Sequence, residues 1–201
     1  MEAKYCAFDV ETTGLQTHCN LLTVCFVMLD RNLEKLDSLN ISLKQENGYY
    51  VFPEAMGVNK IDIVKHHSTS MDLINARQIL HSFIKKYKKQ YALITIGHNV
   101  SFDIKFILAS GLLTESEYYR SFGRNPIDTL TIAQFLKVCG TIPEKQSLSL
   151  THLCKTYKLT KNENLQHSAE YDTNMTIDLL KYFRSMTNGE VKPETKKRKT
   201  N

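Results

Sequence analysis

The pattern of hydrophobic and polar residues predicts three strands near the start of the chain. Residues 4–10 are mostly apolar and predict a short buried strand. Residues 21–30 are apolar and rich in β-branched side chains, and residues 33–43 begin to alternate, as half-buried strands do. The polar turn at 30–32 favours an antiparallel hairpin beside the first strand. The segment 44–70 has scattered polar, Gly and Pro positions and is expected to be irregular.

Helical spacing dominates the rest of the chain. Apolar residues recur three and four positions apart between residues 71 and 89, with Ser70 as the expected N-cap. Residues 91–97 predict another buried strand. Further helices are predicted over residues 101–111, 129–138, 147–157 and 168–186. This order predicts an α/β protein whose mixed sheet, an antiparallel hairpin plus parallel strands, is flanked by helices.

Composition places the chain among soluble globular proteins. Its 201 residues are enough for one sizeable domain, expected over residues 1–187. No apolar run approaches the roughly 20 residues that cross a bilayer, so no membrane partner is expected. The first residues lack the pattern of a signal peptide, which predicts an intracellular protein. The five cysteines form no CxxC pair, and Cys6 and Cys25 are expected to be buried thiols.

A basic segment ends the chain. The formal net charge is +5, and five basic and two acidic residues lie from Gly189 onward. Residues 188–201 are therefore expected to form a disordered basic tail. Its KKRK run, residues 196–199, is compatible with a nuclear signal, a nonspecific nucleic-acid arm or a solubilising tail, which leaves cytoplasm and nucleus both open.

The first candidate site lies where the first strand ends. Asp9 and Glu11 are two positions apart, so on a strand their carboxylates point to the same face and can converge on one cation. Thr12, Thr13 and Gly14 follow and interrupt the strand. The pair is thus placed at an open strand end, where ligands often bind. A solvated Asp and Glu at a strand terminus is the competing interpretation.

Two more polar segments stand at predicted helix starts. Asp103 falls in a first helical turn, where a carboxylate can simply stabilise the helix dipole, and Asn99 is a capping candidate. His167 and Asp172 open the last predicted helix. A His at that position is often a surface or cap residue, but an imidazole that titrates near neutral pH is also suited to deprotonate a water molecule.

Three motifs stand in a fixed order: FDVETTGL after a strand, GHNVSFDIKFI across a strand–helix junction, and HSAEYD at the late helix. Together they resemble the motifs of the DnaQ-like, or DEDD, exonuclease superfamily over about residues 4–185. A His five residues before the last Asp is the pattern of the DEDDh branch. The sister branch has a Tyr four residues before that Asp, where this chain has Ser168. The resemblance implies a ribonuclease H-like fold.

The resemblance also implies a reaction, a cofactor and a set of roles. The expected enzyme is a 3′–5′ exonuclease that hydrolyses single-stranded DNA and releases nucleoside 5′-monophosphates. Two divalent cations, Mg²⁺ or Mn²⁺, would be held by four carboxylates, and His167 would be the general base. The implied metal ligands are Asp9, Glu11, Asp103 and Asp172. The candidate substrate-binding residues are Thr12, Thr13, Gly14, Leu15, Asn99 and Phe102.

Several alternatives stay open at this point. Phe102 is a candidate stacking residue for a base, or a core residue on an amphipathic helix. The substrate is single-stranded DNA or, alternatively, RNA trimmed by the same site or short oligoribonucleotides. A catalytically silent nucleic-acid-binding or polymerase-accessory module is the interpretation from a different class. Expected partners are nucleic-acid 3′ ends and a polymerase or a replication or repair protein.

Three further segments qualify the resemblance. Asp128 opens a helix in a segment like the family's VDT motif, and a structural or capping role is expected for it. Lys60 and Ile61 stand where the family often has Gly-Ile, which puts in doubt the substrate contacts expected from residues 53–61. The lysine-rich segment 85–89 predicts either a nucleic-acid contact or a solvated helix face.

Overall fold

The structure is a computed structural model that describes residues 2–160 and 168–189. Its five-stranded sheet has the order β3-β2-β1-β4-β5. The strands are β1 (Tyr5–Thr12), β2 (Leu21–Leu29), β3 (Lys35–Ser42), β4 (Ile94–Gly97) and β5 (Ile127–Asp128). Helices of the described residues are α1 (Pro53–Asn59), α2 (Ile63–Thr69), α3 (Leu73–Tyr87), α4 (Val100–Ala109), α5 (Glu115–Phe122), α6 (Thr129–Val138), α7 (Leu150–Thr156) and α8 (Ala169–Thr187).

The sheet is mixed, as the sequence predicts. β1 and β2 pair antiparallel, and so do β2 and β3. β1 is parallel to β4, and β4 is parallel to β5. Because parallel strands end at the same edge, the carboxyl ends of β1, β4 and β5 lie together, and the helices that follow β4 and β5 begin there.

Strand alternation assigns the two faces of the sheet to two cores. Cys6, Phe8 and Val10 of β1 point into the larger core, where the Phe8 and Phe26 rings meet edge to face with their centroids 5.5 Å apart. Ala7, between them in sequence, points to the other face, which α8 covers. β1 is therefore packed on both sides, so its carboxyl end is held in place by the body of the protein.

The segment 44–70 was expected to be irregular, and that prediction is wrong. It contains α1 and α2, which begin with Pro53 at the first helical turn and with the Asp62 side chain as N-cap. Helix α3 is capped by Asp72, whose side chain accepts from the Asn75 N–H. Ser70 instead ends α2, so its predicted role as the cap of α3 is also wrong.

The sequence prediction also missed α5 and the two-residue strand β5. A signal for α5 was present, because Thr114 and Glu117 form a capping box in which each side chain bonds to the other residue's backbone N–H. Helix α6 has the predicted bounds, while β4 is shorter than the predicted strand at 91–97. Cys6 and Cys25 are free and buried, as expected.

Two further observations concern membrane-spanning helices and the predicted basic tail. In the part of the chain that the structure describes, no helix is long and apolar enough to cross a membrane. The predicted basic tail lies outside the described residues from position 190 onward.

Candidate active site

The first two carboxylates lie at the end of β1. Asp9 and Glu11 stand opposite Cys25 and Thr23 of β2, on the same face of the strand. Both remain partly accessible, while Val10 between them is buried. The strand spacing of two thus places both carboxylates on one side of the sheet, as the sequence predicts.

Helix α8 brings the third carboxylate to this pair. Its N-cap, Ser168, accepts from the Tyr171 N–H. Thr173 is fully buried and lies 3.5 Å from the carbonyl oxygen of Cys25, the residue opposite Asp9. This contact sets the neighbouring Asp172 over β1. Carboxylate oxygens of Asp9, Glu11 and Asp172 lie within 4.8 Å of one another.

Asp103 adjoins this group and is tied to the strand between the first two carboxylates. Its side chain is only 3% exposed, and its Oδ1 accepts from the Val10 N–H at 3.1 Å. Helix α4 reaches β1 closely because Gly97 and Val100 are packed tightly; a Cβ at Gly97 would lie 2.6 Å from the Val100 side chain. Asp103 is therefore both part of the acidic group and a link between β1 and α4.

Burial and mutual repulsion disfavour charge on these carboxylates. Burial, followed by the nearby Asp103, Asp172 and Glu11, raises the pKa of Asp9 well above its ordinary value. Burial, followed by Asp172 and Asp103, raises the pKa of Glu11 to about 8. Burial also raises the pKa of Asp103, against the opposing effect of the Val10 hydrogen bond. Without a cation, the protein holds these groups together at an electrostatic cost.

Asp128 has the structural role that its sequence context predicts. Its Oδ1 accepts from the Leu130 N–H at the start of α6 and from the Asn99 N–H, both at 2.9 Å. Asn99 occupies the N-cap position of α4 but forms no side-chain cap, so that part of the prediction is wrong. Its backbone is left-handed, with a φ of 62°, and the residue is exposed, four positions before Asp103.

His98 is a residue whose role the sequence did not reveal. One ring nitrogen lies 2.9 Å from the Thr129 hydroxyl and the other lies 3.0 Å from the Leu148 carbonyl oxygen. Burial lowers the pKa of the ring, so the neutral form is favoured. His98 thereby connects the end of β4 to α6 and to the segment before α7. Its position next to Asn99 in the second motif was the available signal.

The loop after β1 is held by hydrogen bonds within it and to the segment that includes α1. The Thr13 N–H donates to the Asn20 carbonyl and its hydroxyl to the Tyr50 carbonyl, so both groups are engaged within the protein. The Thr12 hydroxyl donates to the Gly14 carbonyl at 2.7 Å. Leu15, four residues after Glu11, is 77% exposed.

Helix α1 is fastened to the same loop at both ends. At its start, the Phe52 N–H donates to the Thr13 carbonyl. The Phe52 ring packs so closely on Gly14 that a Cβ at this glycine would lie 2.6 Å from it. At its end, the Asn59 Nδ2 donates to the Thr12 carbonyl at 3.0 Å. Neither Phe52 nor Asn59 was identified from the sequence. A segment expected to be irregular has no periodic pattern from which buried positions can be predicted.

Two predicted residues remain, Phe102 and His167. Phe102 is partly buried and packs on Phe106, with ring centroids 4.8 Å apart, so it belongs at least in part to the core. His167 lies outside the described residues, next to Ser168.

A basic surface lies at the opposite edge of the sheet, where β1 and β4 begin. Residues 84–92 and 118–126 carry cations and no acidic residue, and they meet where the Leu93 N–H donates to the Ser121 carbonyl. The adjacent Tyr91 is 72% exposed. We call this surface the basic edge, formed by Lys85, Lys88, Lys89, Arg120 and Arg124.

Comparison with known proteins places this geometry in context. A family model described as RNase_T, exonuclease, matches residues 6–180. The ribonuclease T of Blochmanniella pennsylvanica is 26% identical over 182 residues, which cover 85% of this chain and 79% of that protein. The PolC-type DNA polymerase III of Bacillus subtilis is 27% identical over 182 residues, covering 89% of this chain but 11% of the polymerase.

Solved structures show the same fold. Exonuclease I from Methylocaldum szegediense superposes with a TM-score of 0.73 at 16% identity, over 92% of this chain and 41% of that one. E. coli exonuclease I in complex with a dT13 oligonucleotide gives a TM-score of 0.70 at 16% identity, over 94% and 42%. The chain thus spans about two fifths of these exonuclease I chains. Its mixed sheet and flanking helices are those of a ribonuclease H-like exonuclease fold.

Proposed function

Because this chain belongs to the RNase_T exonuclease family of the DEDD superfamily, we propose that it hydrolyses single-stranded DNA from the 3′ end and releases nucleoside 5′-monophosphates. The observation that carries the proposal is the convergence of Asp9, Glu11 and Asp172 within 4.8 Å, with Asp103 bonded to the strand between the first two. A nucleic-acid-binding module would have no use for carboxylates crowded in this way, because they repel a polyanion.

The acidic group fits divalent cations. Asp9, Glu11 and Asp172 each offer one oxygen at ligand spacing. The raised pKa values of Asp9 and Glu11 reflect burial and, after it, repulsion that a cation would relieve. Oxygen ligands suit Mg²⁺ or Mn²⁺, and exonucleases of this family generally use divalent metals. We assign all four carboxylates, including Asp103, to two such ions. When bound, the ions would lower the pKa of the attacking water and stabilise negative charge on the phosphate.

The protein's own groups would supply positioning and proton transfer. His167 immediately precedes Ser168, the N-cap of the helix that carries Asp172. It would accept the proton of the attacking water as general base, which typically contributes ~10²–10⁴-fold to the rate. The exposed Leu15 would pack on the terminal base, and the backbone N–H groups of Gly14 and Leu15 would meet the terminal nucleotide.

Single-stranded DNA is supported as the substrate by the solved structures. The exonuclease I structures similar to this chain include complexes with dT13 and dA16 oligonucleotides. The basic edge, at the other end of the sheet from the carboxylates, and the exposed Tyr91 offer charge and a stacking face to DNA and RNA alike. RNA is the second candidate, because relatives that align along most of their own length are named ribonuclease T. A polymerase partner is supported by the likeness to PolC-type polymerases.

The proposal is tested by an end-labelled nuclease assay. Single-stranded DNA and RNA of one sequence, each labelled at the 5′ or the 3′ end, are incubated with Mg²⁺, with Mn²⁺ or with EDTA. We expect a descending ladder from 5′-labelled DNA, immediate release of label from 3′-labelled DNA, and no product in EDTA. Asp9→Asn should abolish the activity, and Glu46→Gln, in an exposed loop, should retain it.

The outcomes separate the candidates. Faster loss of the RNA would favour the ribonuclease, and cleavage of circular single strands would indicate an endonuclease. Binding of DNA without any cleavage in either metal would contradict the enzymatic proposal and favour a silent module.

A further inference from the structure

The end of helix α1 is fixed immediately beside the carboxylates. The Asn59 side chain is buried and uses both ends of its amide. Its Nδ2 donates to the Thr12 carbonyl at 3.0 Å, and its Oδ1 accepts from the Ile61 N–H at 3.1 Å. Thr12 directly follows Glu11 in β1. The backbone on either side of Asn59 is therefore held at the border of the acidic site.

The next residue, Lys60, adopts a backbone conformation that normally belongs to glycine. It ends α1 with φ 57° and ψ 23°, and its N–H donates to the Met56 carbonyl at 2.9 Å. The left-handed region brings Cβ too close to the following carbonyl oxygen, so a residue with a side chain is disfavoured there. A glycine would end this helix with less strain. Lys158, after α7, adopts the same left-handed conformation, so what distinguishes Lys60 is its place one residue from the Asn59–Thr12 contact beside the carboxylates.

The ammonium group of Lys60 is available to a ligand. Lys60 is exposed and, within residues 2–160 and 168–189, its side chain forms neither a hydrogen bond nor an ion pair. The nearest carboxylate in sequence, Asp62, accepts from the Val64 and Lys65 N–H groups at the start of α2. A lysine side chain extends about 6 Å from its Cα through bonds of about 1.5 Å. Because Asn59 already contacts Thr12, a side chain of this length on the next residue begins at the border of the acidic site.

The site itself creates a demand for such a cation. Asp9, Glu11, Asp103 and Asp172 repel the phosphates of an incoming strand, and bound metal ions compensate only at the scissile phosphate. We propose that Lys60 binds a backbone phosphate of the substrate strand upstream of the scissile bond. This contact would make the enzyme favour oligonucleotides over mononucleotide esters. This inference rests on the proposed nuclease function. The phosphate contact makes Lys60 a specificity-determining residue. A glycine would be sufficient at this position if the residue only ended the helix.

The test compares two substrates that differ in upstream phosphates. One is dT12, and the other is the p-nitrophenyl ester of thymidine 5′-monophosphate, which has none. The variants are Lys60→Gly, which removes charge and strain, and Lys60→Arg, which keeps the charge. Lys158→Gly is the matched control, because Lys158 is also left-handed with a φ of 57° but follows α7.

For Lys60→Gly we expect the ratio of kcat/KM for dT12 to kcat/KM for the ester to fall about tenfold, the size of one charge-assisted contact. The slope of log affinity against log salt should become shallower by about 0.7. Lys60→Arg should keep the ratio of the wild-type protein. Lys60→Gly should raise Tm by about 2–4 °C through relief of strain, while Lys158→Gly leaves the ratio in place.

Binding separates this proposal from the proposed function. Fluorescence anisotropy with 5′-fluorescein-dT12 in Ca²⁺ measures affinity whether or not the protein cleaves, and Lys60→Gly should weaken it about tenfold. If the wild-type protein binds dT12 but cleaves neither substrate, the nuclease proposal fails and this measurement still decides on Lys60. Equal affinity of the wild-type protein and Lys60→Gly, or an equal loss of activity on both substrates, would overturn the role of Lys60.

Discussion

Glu11→Gln is expected to make the metal-free protein more stable while it destroys the proposed metal site. The substitution keeps the shape of the side chain and removes one charge from a group that also contains Asp9, Asp103 and Asp172. In the folded protein, burial and then repulsion by Asp172 and Asp103 raise the pKa of Glu11 to about 8 from its ordinary 4.5. The charge of Glu11 is thus unfavourable in the folded state at pH 8.

The sign and size of the effect follow from this pKa. A carboxyl group whose folded pKa is raised adds stability below about pH 4.5, and that stability is lost as the pH rises towards 8. At about 1.4 kcal/mol for each tenfold change in equilibrium, the upper limit is about 5 kcal/mol. Glu11 is partly accessible, so solvent screens its charge. We therefore expect the free energy of unfolding of Glu11→Gln to be higher than that of the wild-type protein by roughly 2–4 kcal/mol at pH 8 in EDTA.

Urea unfolding at pH 5 and pH 8, in EDTA and in Mg²⁺, measures the effect. The wild-type protein should lose stability between pH 5 and pH 8 in EDTA and regain it with Mg²⁺, because a bound cation stabilises the folded state by mass action. Glu11→Gln should show a weaker pH dependence and gain little from Mg²⁺. Glu46→Gln, at an exposed loop carboxylate, should behave as the wild-type protein does. A Glu11→Gln variant less stable than the wild-type protein at pH 8 in EDTA would refute the reasoning.

Three further predictions address other parts of the molecule. His167→Ala should lower kcat by ~10²–10⁴-fold while calorimetry shows unchanged Mg²⁺ binding; full activity at neutral pH would contradict the assigned base. Gly14→Ala should lose about 1–3 kcal/mol in urea unfolding, because its Cβ would lie 2.6 Å from the Phe52 ring; unchanged stability would show that the ring yields. Bonds led by the Thr114 N–H lower the pKa of Glu117 to about 2. Glu117→Gln should therefore lower the free energy of unfolding by about 1–2 kcal/mol at pH 7. The difference from the wild-type protein should narrow as the pH falls from 5 towards 2, and a difference that stays constant would contradict the prediction.

The acidic group could be predicted from sequence because its members follow local rules. Asp9 and Glu11 share a strand face through a spacing of two, and Asp103 and Asp172 stand near helix starts after recognisable motifs. The order of the motifs then indicated that these positions meet. The bond between Asp103 and the Val10 N–H was not predictable, because it depends on how closely α4 packs on β1.

The surroundings of the site were harder to predict for a physical reason. Helices α1 and α2 have seven residues each, too few for an apolar period to stand out from polar neighbours. Local capping signals would have helped: Pro53 favours a first helical turn, and Asp62 and Asp72 are good N-caps. The tertiary role of Asn59 gives no local signal, because its partner Thr12 lies 47 positions away in sequence.

The attachment of α1 divides the site into parts that differ in their resistance to local opening. The Val10 N–H is buried and donates to Asp103 beyond the end of the β1–β4 pairing, so its exchange with solvent deuterium requires α4 to separate from β1. Helix α1 is short, exposes Val58, and is joined to the loop after β1 mainly through Phe52 and Asn59. Its amides should exchange orders of magnitude sooner. Slower exchange of the Val10 amide than of the α1 amides would show that the carboxylates keep their register while the neighbouring helix opens.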